Sequence, residues 1–444
     1  MAKYKAYPEY KDSGVEWLGE IPIHWEMLRH KYVAFFTKGK NPTNLLEQPL
    51  KNTLPYLSME CLRNNTTDKY ALISNDVRIA LEGQPLIIWD GSNAGEFVKG
   101  KSGILSSTMA AATLTYPLHP QYYWYVCISI EPEMRKNAVG MGIPHVNGDE
   151  LKSISFSIPS FCEQKQIAVF LDHETAKIDK LIEKQQQLIE LLKEKRQAVI
   201  SHAVTKGLNP DVPMKDSGVE WLGEIPQHWG VTRLKYECRN IVDCPHSTPN
   251  YTDEGEYPAI RTADILAGYL DLENCRRVTE PVYDERNFRL IPKAGDIIYS
   301  REGERFGIGA PIPEGAKVCL AQRVMLFRAK STPGYLMWAL NSSSTYTQAQ
   351  QDCIGSTSPH VNVDTIKNFI LAWPPENERE EISNFIHQTL DSVESLTAHL
   401  TEKLTLLQER RTALISAAVT GKIDVRDWVA PDTQDVEEPQ EATA

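Results

Sequence analysis

The sequence predicts an α+β chain in which two globular α/β domains are separated by a pair of long antiparallel helices, with approximate two-fold symmetry. Three observations lead to this fold class. A box of fifteen residues is repeated almost unchanged, each copy precedes a variable block, and each block leads into a long stretch without proline or glycine. This order of parts indicates an internal duplication, and duplicated units tend to pack symmetrically.

The repeated box is the clearest feature of the sequence. It reads KDSGVEWLGEIPIHW at Lys11–Trp25 and KDSGVEWLGEIPQHW at Lys215–Trp229, so the two copies begin 204 positions apart. Fourteen of the 15 positions are identical, and only Ile23 is changed, to Gln227. A box so closely kept is expected to perform the same structural task in both halves of the chain, with recombination between the two copies as the alternative cause of their near-identity.

Two further repeats show that the duplicated unit is slightly longer than 200 residues. The tetrapeptide PHVN occurs at 144–147 and again at 359–362, which is an offset of 215. The same offset relates KEKRQAVISHAVTKG, from Lys193, to QERRTALISAAVTGK, from Gln408. The second variable block is therefore 11 residues longer than the first, since 215 exceeds 204 by that number.

These repeats set the expected domain boundaries. In chain order they are a box over 1–25, a variable domain over 26–159, a long helix over 160–207, the repeated box over 208–229, a second variable domain over 230–374, a second long helix over 375–421, and a tail over 422–444. The tail is acidic and expected to be disordered, because Asp424–Ala444 carries seven Asp/Glu against Arg426 alone. The segment Asp424–Ala444 supplies half of the chain's net charge of -12, so whole-chain charge neither supports nor excludes binding to nucleic acid.

The two long segments are predicted to be helices that form a coiled coil. Apolar residues recur at heptad spacing, with Gln185 as a polar exception. The predicted core residues are Leu171, Ile178, Leu181, Leu188, Leu192 and Val199 in the first helix, and Ile386, Val393, Leu400, Leu407 and Leu414 in the second. Ser160 and Glu163 form a capping-box pattern, and Gly207 and Gly421 stand where helices commonly end.

A lone helix of about 43 residues would extend roughly 64 Å and is not expected to be stable in water by itself. Two helices zipped together are therefore predicted, with two separate surface helices as the alternative. Because only a short box joins the first helix to the second variable block, the chain can turn back and make the pair antiparallel.

The variable blocks share a skeleton beneath different surfaces. Short apolar runs such as Leu86–Trp89 and Ile297–Tyr299 are followed by polar turns with glycine, which is typical of strands that lead into loops. Apolar positions persist between the blocks, whereas the loop residues switch among Ser, Asn, Arg, Glu and Gln. The sequence thus predicts one scaffold that presents two different polar surfaces.

Several classes of protein are disfavoured by composition. The eight cysteines contain no CxxC pair, which favours reduced thiols over a disulfide framework or a zinc site. The one close Cys/His cluster, Cys244 to His246, would need two more ligands from elsewhere to bind a metal. No run reaches the length of a membrane span and the first residues lack a signal-peptide core, so a cytoplasmic protein without a membrane partner is expected.

No catalytic motif stands out. Gly95–Ser102, GEFVKGKS, fits the phosphate-loop pattern, but the second block has no counterpart and the following residues are a poor helix start. A dinucleotide loop, a methyltransferase quartet for amino-nitrogen bases and a Ser/His/Asp set are not found. The chain is therefore expected to be non-catalytic and to hold no metal and no cofactor.

The variable blocks do carry the side chains that contact DNA bases and phosphates. The candidates in the first block are Ser92, Asn93, Lys99, Lys101, Ser107 and Thr108, and those in the second are Arg261, Arg301, Arg305, Gln322 and Arg323. For any one of them, a solvated loop residue without a DNA contact is the alternative.

The layout resembles the specificity subunit of type I restriction-modification systems. The resemblance covers nearly the whole chain and rests on the order of parts: the GVEWLGEIPxHW box, a variable domain, PHVN, and an IP…EQ…IA start to a long helix, all twice. Its signature segments are GMGIPHVN…SIPSFCEQKQIAVFLD, from Gly140, and GSTSPHVN…LAWPPENEREEIS, from Gly355. The second copy departs from this pattern at Arg379, which stands where the first has Gln164.

The resemblance implies that each variable domain is a target recognition domain for one half of a bipartite, asymmetric site in double-stranded DNA, with the helix pair fixing the gap. It implies docking of two methyltransferase (modification) subunits that methylate adenine N6, and of two restriction subunits that translocate and cleave DNA. S-adenosylmethionine, ATP and Mg²⁺ would then bind those partners in a bacterial or archaeal cytoplasm. The box would clamp each domain onto the helices through Val15, Trp17, Leu18, Ile21 and Trp25.

Two other functions stay open from the residues alone. One is a coiled-coil scaffold that never contacts nucleic acid. The other is a stand-alone enzyme, in which the chain itself methylates or cuts DNA.

Overall fold

The computed structural model describes residues 4–138, 144–303, 305–353 and 360–430. The chain divides into two compact units. Residues 1–185 together with 402–444 form the first unit, and residues 186–401 form the second. Each unit thus contains one box, one variable domain and part of both long helices.

The first unit is built from short strands around a few helices. Its strands are β1 (Tyr10–Asp12), β2 (Glu20–Pro22), β3 (Glu26–Arg29), β4 (Ala34–Lys38), β5 (Thr53–Leu57), β6 (Tyr70–Leu72), β7 (Ile79–Ala80), β8 (Pro85–Ile88), β9 (Phe97–Lys99), β10 (Gly103–Leu105), β11 (Met109–Leu114) and β12 (Ser155–Ile158). Its helices are α1 (Met59–Asn64), α2 (Pro120–Lys136), α3 (Gly148–Ser153) and the first part of α4 (Phe161–Lys206), with a 3-10 turn at His30–Tyr32.

Two four-stranded sheets form the variable domain of this unit. One has the order β4-β11-β8-β9 and is antiparallel throughout. The other has the order β6-β5-β10-β7, in which β5 and β10 are parallel. The box forms the β1-β2 hairpin, and β3 pairs with β12. Buried side chains of α2, among them Tyr122 and Val126, share one core with Trp25 of the box and Leu171 of α4.

The second unit repeats this plan. Its strands are β13 (Met214–Asp216), β14 (Glu224–Pro226), β15 (Gly230–Arg233), β16 (Cys238–Asp243), β17 (Tyr257–Ile260), β18 (Ile265–Leu266), β19 (Tyr269–Leu270), β20 (Arg277–Val278), β21 (Ile297–Ser300), β22 (Gly309–Pro311), β23 (Cys319–Leu320), β24 (Val324–Ala329) and β25 (Ile370–Trp373). Its helices are α5 (Leu234–Glu237), α6 (Glu280–Arg286), α7 (Pro333–Leu340), α8 (Ser343–Gln351), α9 (Val363–Lys367) and most of α10 (Glu376–Val419), with a 3-10 turn at Thr262–Asp264.

The central sheet of the second unit has the order β16-β24-β21-β22, which matches β4-β11-β8-β9 strand for strand. The β13-β14 hairpin and the β15-β25 pair likewise repeat β1-β2 and β3-β12. The second sheet is smaller, β20-β17-β23, and a β18-β19 hairpin is added. The duplication read from the sequence is therefore a duplication of the fold.

The long helices begin and end as the sequence predicts. The helix α4 has 46 residues and α10 has 44. At the start of α4, the Glu163 amide donates to Ser160 Oγ (3.3 Å) while the Ser160 amide donates to Glu163 Oε2 (3.3 Å), which completes the capping box. Gly207 and Gly421 follow the two helix ends with φ of +78° and +73°, a conformation that favours glycine.

Both units show the two helices packed side by side. In the first unit, Ile178 of α4 shares a core with Leu414 of α10, and the Arg411 guanidinium donates to Asp179 Oδ1 at 2.6 Å. In the second unit, Ile200 of α4 shares a core with Ile386 of α10. Within each unit, the beginning of one helix therefore lies against the end of the other.

The helix seam differs from the sequence prediction at two positions. Of the predicted core residues, nine are buried or half-buried: Leu171, Ile178, Leu192, Val199, Ile386, Val393, Leu400, Leu407 and Leu414. Leu181 and Leu188 are instead 46% and 44% exposed. The next residue after Ile178 that faces the other helix is the half-buried Ile182, four positions later, and not Leu181, three positions later. The sequence prediction therefore placed the second set of core positions one residue too early.

The predicted tail begins later than expected. Ile423 and Val425 are buried in the core of the first unit, and the Trp428 ring packs edge-on against Phe170 at 5.3 Å between centroids. Residues 422–428 are thus part of the packed structure, which corrects the boundary. Residues 431–444 of the predicted tail lie outside the described residues.

Arg379 has a specific role where the second copy departs from the first. Its guanidinium donates to Ser331 Oγ (3.0 Å) and Thr332 Oγ1 (2.9 Å) and lies 4.4 Å from the centroid of the Trp373 ring. In the first unit, Gln164 instead accepts a hydrogen bond from the His119 amide and donates to a backbone carbonyl. Both side chains tie a helix start to its neighbours, so the exchange preserves the junction by different chemistry.

Candidate nucleic-acid interface

Three strand ends meet at one edge of the central sheet in the first unit. The strand β4 ends at Lys38, which pairs with Ala110 of β11, and Trp89 and Asp90 directly follow β8. The Trp89 amide donates to the Thr108 carbonyl oxygen at 2.7 Å, which draws the residue before β11 to the same edge. We call Lys38, Trp89, Asp90 and Thr108 the first strand-end cluster.

The side chains of this cluster contact one another. The Lys38 ammonium donates to Asp90 Oδ2 at 2.7 Å and lies 5.9 Å from the centroid of the Trp89 ring. Both members of the ion pair are partly exposed, with 46% of the Lys38 side chain and 33% of the Asp90 side chain accessible. The cluster thus exposes one cation, one carboxylate and one aromatic ring to solvent. The cation can contact a phosphate or a base, and the ring can contact a base.

The second unit brings four different residues to the same frame. Asp243 ends β16 opposite Met325 of β24, and Arg301 and Glu302 follow β21. The Arg301 amide donates to the Arg323 carbonyl oxygen at 3.2 Å, repeating the Trp89–Thr108 bond of the first unit. We call Asp243, Arg301, Glu302 and Arg323 the second strand-end cluster.

Charge pairs connect the members of the second cluster. Glu302 lies between two arginines, with Oε1 3.0 Å from Arg301 Nη2 and Oε2 3.4 Å from Arg323 Nε. Arg301 also approaches Asp243 at 3.3 Å, but without the alignment of a hydrogen bond. The Arg301 side chain is 9% exposed and that of Arg323 is 54% exposed. Of the two candidates, Arg323 is therefore the one that an external ligand can reach.

The repeated PHVN motif is hydrogen-bonded to the backbone of both strand-end clusters. The Val146 amide donates to the Trp89 carbonyl oxygen (2.9 Å), and the Val361 amide donates to the Arg301 carbonyl oxygen (3.0 Å). Both valines are buried, and the histidine of each motif forms a β-bridge to Asp90 or to Glu302. The motif is thus a structural clip, although Pro359 of its second copy lies outside the described residues.

Other candidates of the first block occupy the surrounding loops. Ser92 is exposed and Asn93 half-buried in the turn after Asp90. The Ser107 amide donates to Asn41 Oδ1 at 3.0 Å, and the Thr108 hydroxyl shares a 2.9 Å hydrogen bond with Ser106. These four lie close in sequence to the first cluster or within it.

The two lysines of GEFVKGKS are engaged in contacts within the domain. The Lys99 ammonium donates to Gln121 Oε1 (3.2 Å), and the Lys101 ammonium donates to Asn65 Oδ1 (2.6 Å) and to the Cys61 carbonyl oxygen. A strand, β10, follows this segment where a phosphate loop requires a helix. The arrangement does not fit a nucleotide site.

The remaining candidates of the second block divide into two groups. Arg261 forms a bidentate pair with Asp264 at 2.9 and 2.6 Å, whose hydrogen bonds raise the pKa of the guanidinium, and Arg305 donates to the nearby Ala263 carbonyl oxygen at 2.7 Å. Gln322 directly precedes Arg323 and donates to the His246 carbonyl oxygen at 3.2 Å. Only Arg301, Gln322 and Arg323 therefore belong to the edge where the strand ends meet.

Sequence reasoning missed Lys38, Asp90, Asp243 and Glu302. Its search favoured amides, hydroxyls and cations, whereas three of these residues are acidic. A usable signal was present, since an acidic residue stands two positions beyond the last residue of both β8 and β21. That signal becomes specific only when the two blocks are aligned by structure.

The described ranges contain no group of three or more His, Cys, Asp or Glu residues that could hold a metal ion. In the same ranges, no helix is both long enough and apolar enough to cross a membrane. The Cys244–His246 segment has a local explanation, because Cys244 is buried and His246 lies 3.2 Å from Asp243.

Comparison with known proteins agrees with this organisation. A family model described as "Type I restriction modification DNA specificity domain" matches residues 22–191 and 242–406. The type I restriction enzyme MjaVIII specificity subunit of Methanocaldococcus jannaschii is 28% identical over 415 residues, covering 92% of this chain and 95% of the relative. The type I restriction enzyme EcoKI specificity subunit of Escherichia coli is 24% identical over 441 residues, with coverages of 93% and 92%.

A solved structure shows the same fold. It comes from work on complex assembly and conformational transition of the type I R-M system, and it covers 91% of this chain and 99% of the solved chain. The TM-score is 0.66 at 14% sequence identity. With both variable domains matched by the family model, the chain belongs to the type I restriction-modification DNA specificity domain family and carries two copies of that domain.

Proposed function

We propose that this chain is the DNA-binding specificity subunit of a type I restriction-modification complex, and that each variable domain reads one half of a bipartite target. One observation carries the proposal: two domains of the matched family share a strand frame but present different polar side chains at the same edge. A shared frame with exchanged side chains is what two half-sites of different sequence require. Arginine, lysine and aromatic groups can then contact base edges and phosphates.

The long helices are proposed to form an antiparallel pair along their whole length and to separate the two domains with approximate two-fold symmetry. The side-by-side packing within each unit supports this arrangement. Such a pair would fix the distance between the two domains, and therefore the gap between the two half-sites. The target would be asymmetric because Lys38, Trp89, Asp90 and Thr108 differ from their counterparts in the second cluster.

The chemistry is assigned to other subunits. Two methyltransferase subunits are proposed to dock on the boxes and long helices, and two restriction subunits to complete the nuclease. S-adenosylmethionine, ATP and Mg²⁺ would bind to those partners, while this chain contributes sequence recognition and no catalytic group. Purified alone and mixed with labelled S-adenosylmethionine and target DNA, the chain is expected to transfer no methyl group, and transfer would favour the enzyme alternative.

The test is co-expression of the chain with its cognate methyltransferase subunit, followed by mapping of modified adenines in host DNA. A split motif with a fixed gap is expected, and exchanging the second variable domain for that of a relative should change only one half of it. A contiguous palindrome would contradict the proposal. Equal binding of the complex to target and scrambled duplexes, without dependence on salt, would instead favour the scaffold alternative.

A further inference from the structure

The strand-end clusters share an acidic residue at the same framework position, Asp90 in one and Glu302 in the other. We infer that Glu302 acts as an internal competitor for DNA: its carboxylate is paired with Arg323 until DNA takes its place, most completely where a base edge does so. The inference rests on the proposed function and adds a role that neither the family match nor the fold assigns.

The geometry around Glu302 supports competition and not direct reading of a base. One carboxylate oxygen lies 3.0 Å from Arg301 and the other 3.4 Å from Arg323, so both oxygens already face a cation. The Glu302 side chain is 20% exposed and that of Arg323 is 54% exposed. An approaching DNA groove therefore reaches the arginine first, and the carboxylate behind it is the partner to be displaced.

The backbone at Arg323 is held in place while its side chain remains exposed. Its φ of +65° lies in the left-handed region, which residues other than glycine rarely adopt and which is enriched at functional sites. Its carbonyl oxygen accepts the Arg301 amide, and its neighbour Gln322 bonds the His246 carbonyl oxygen. With the main chain fixed by these bonds, exchange of partners requires only movement of the guanidinium.

The first unit supplies a second instance, in which the paired cation comes from a different position of the cluster. Asp90 occupies the position of Glu302 and pairs with Lys38 at 2.7 Å, although the other cluster positions are Trp89 in place of Arg301 and Thr108 in place of Arg323. If these carboxylates read bases directly, they would be expected to vary with the half-site. An acidic residue common to two otherwise different surfaces points to a task that both domains share, which is to restrain the exposed cation.

The physical consequence is a cost on DNA binding, because the ion pair must be broken before Arg323 can contact DNA. Any duplex offers phosphates, which compete with the carboxylate for the cation, whereas only the correct half-site offers a base edge with two aligned acceptors. Exposed ion pairs contribute only about 0.2–1 kcal/mol. Removing the carboxylate should therefore tighten binding to the target by roughly 1.4- to fivefold, because the ion pair is fully broken there, with no larger gain on unrelated DNA.

The experiment measures affinities of the complex between the full chain and its methyltransferase subunit, on target and scrambled duplexes at two salt concentrations. Glu302→Gln should tighten binding to the target by about 1.4- to fivefold and binding to scrambled DNA by no more than that. In an Arg323→Gln background the same change should have little further effect. Glu314→Gln, at an exposed loop position of the same domain, controls for the altered net charge.

If Glu302→Gln binds the target more weakly, and this loss depends on the identity of one base pair, the carboxylate reads that base directly. This result would overturn the inference. An unchanged affinity for the target would also overturn it. The affinity of Asp90→Asn for the same duplexes is the second measurement, in the first unit. If Glu302→Gln fails to fold, this variant still tests the inference. If the unmodified complex does not prefer its target over scrambled DNA, the proposed function fails instead, and the two failures are distinct.

Discussion

The indole N–H of Trp229 donates a hydrogen bond of 2.9 Å to the carboxylate of Glu378, in the first turn of α10. In the first unit, the indole of Trp25 lies 3.5 Å from Glu163, in the first turn of α4. Each tryptophan also packs near the glycine that ends the other long helix, Gly207 for Trp229 and Gly421 for Trp25. The box is repeated because the same junction, between the start of one helix and the end of the other, is built in both units.

Glu163→Gln should destabilise the first junction. The carboxylate accepts hydrogen bonds from Ser160, His24 and the Trp25 indole, and its side chain is 10% exposed. Hydrogen bonds to a charged group contribute about 1.5–3 kcal/mol, so a loss of that order is expected in urea unfolding at pH 7. Glu16→Gln, in an exposed position of the same box, should change the free energy of unfolding little.

The same carboxylate gives this junction a defined pH dependence. Burial alone would raise the pKa of Glu163, but the hydrogen bonds from His24 and Ser160 outweigh it and hold the pKa below the usual 4.5. A folded-state pKa below the unfolded value contributes stability above about pH 4.5, and this contribution is lost as the pH falls through the folded-state pKa. The wild-type chain should thus lose more stability between pH 5 and pH 3 than Glu163→Gln does, and equal losses would contradict this.

Adjacent leucines of α10 test the helix seam. Leu407 is 9% exposed in the core shared with α4, whereas Leu406 is 57% exposed. Leu407→Ala should lower the free energy of unfolding by about 2 kcal/mol or more, because truncation leaves a cavity. Leu406→Ala should cost less than about 0.5 kcal/mol. Similar costs for both variants, measured by denaturant unfolding, would show that the seam lies elsewhere.

Buried His30 predicts a second pH effect, in the neutral range. Desolvation by burial lowers the pKa of its imidazole to about 4, and its ring nitrogen shares a 2.7 Å hydrogen bond with Tyr123. In the unfolded chain this imidazole binds a proton near pH 6.5, whereas in the folded chain it stays neutral until about pH 4. The free energy of unfolding should therefore fall as the pH drops from 6.5 toward 4. His30→Gln should show a smaller loss between pH 7.5 and pH 5, and a loss as large as that of the wild type would contradict the assignment.

Gly421 should tolerate no side chain. Its φ is +73°, and an added Cβ would overlap the ring of Pro22. Gly14 has a similar φ of +69° but has no atom within 4 Å of an added Cβ. Gly14→Ala should therefore report the conformational cost alone, about 1 kcal/mol, whereas Gly421→Ala should cost clearly more in a thermal unfolding measurement. Equal costs would mean that the contact with Pro22 is not tightly packed.

Much of the fold was predictable because it follows from local patterns. The repeats gave the duplication, the Ser160–Glu163 pair gave a helix start, and the glycines gave both helix ends. The second stripe of the seam was not predictable in the same way. Leu181 and Ile182 are adjacent apolar residues, and only packing against the other helix decides which one is buried.

The candidate site was predicted in outline but not in its charge pairing. The sequence pointed to polar residues after strands. Arg301 and Arg323 do meet at the strand ends of the second unit, and Thr108 lies at a strand end of the first. It gave no sign that Arg261 is paired with Asp264, or that Glu302 lies between two arginines, since both depend on loop geometry. Residue type alone cannot separate a cation available to DNA from one already neutralised.

The most direct test of the central claim is the gap between modified half-sites in variants whose long helices are both altered by one heptad. Seven residues correspond to about 10 Å of helix, or roughly three base pairs of DNA. Removing a heptad from each helix should shorten the gap by about that number while both half-site sequences stay the same, and adding one should lengthen it. A gap that remains at the wild-type length in both variants would contradict the proposal that the helix pair sets the distance between the two domains.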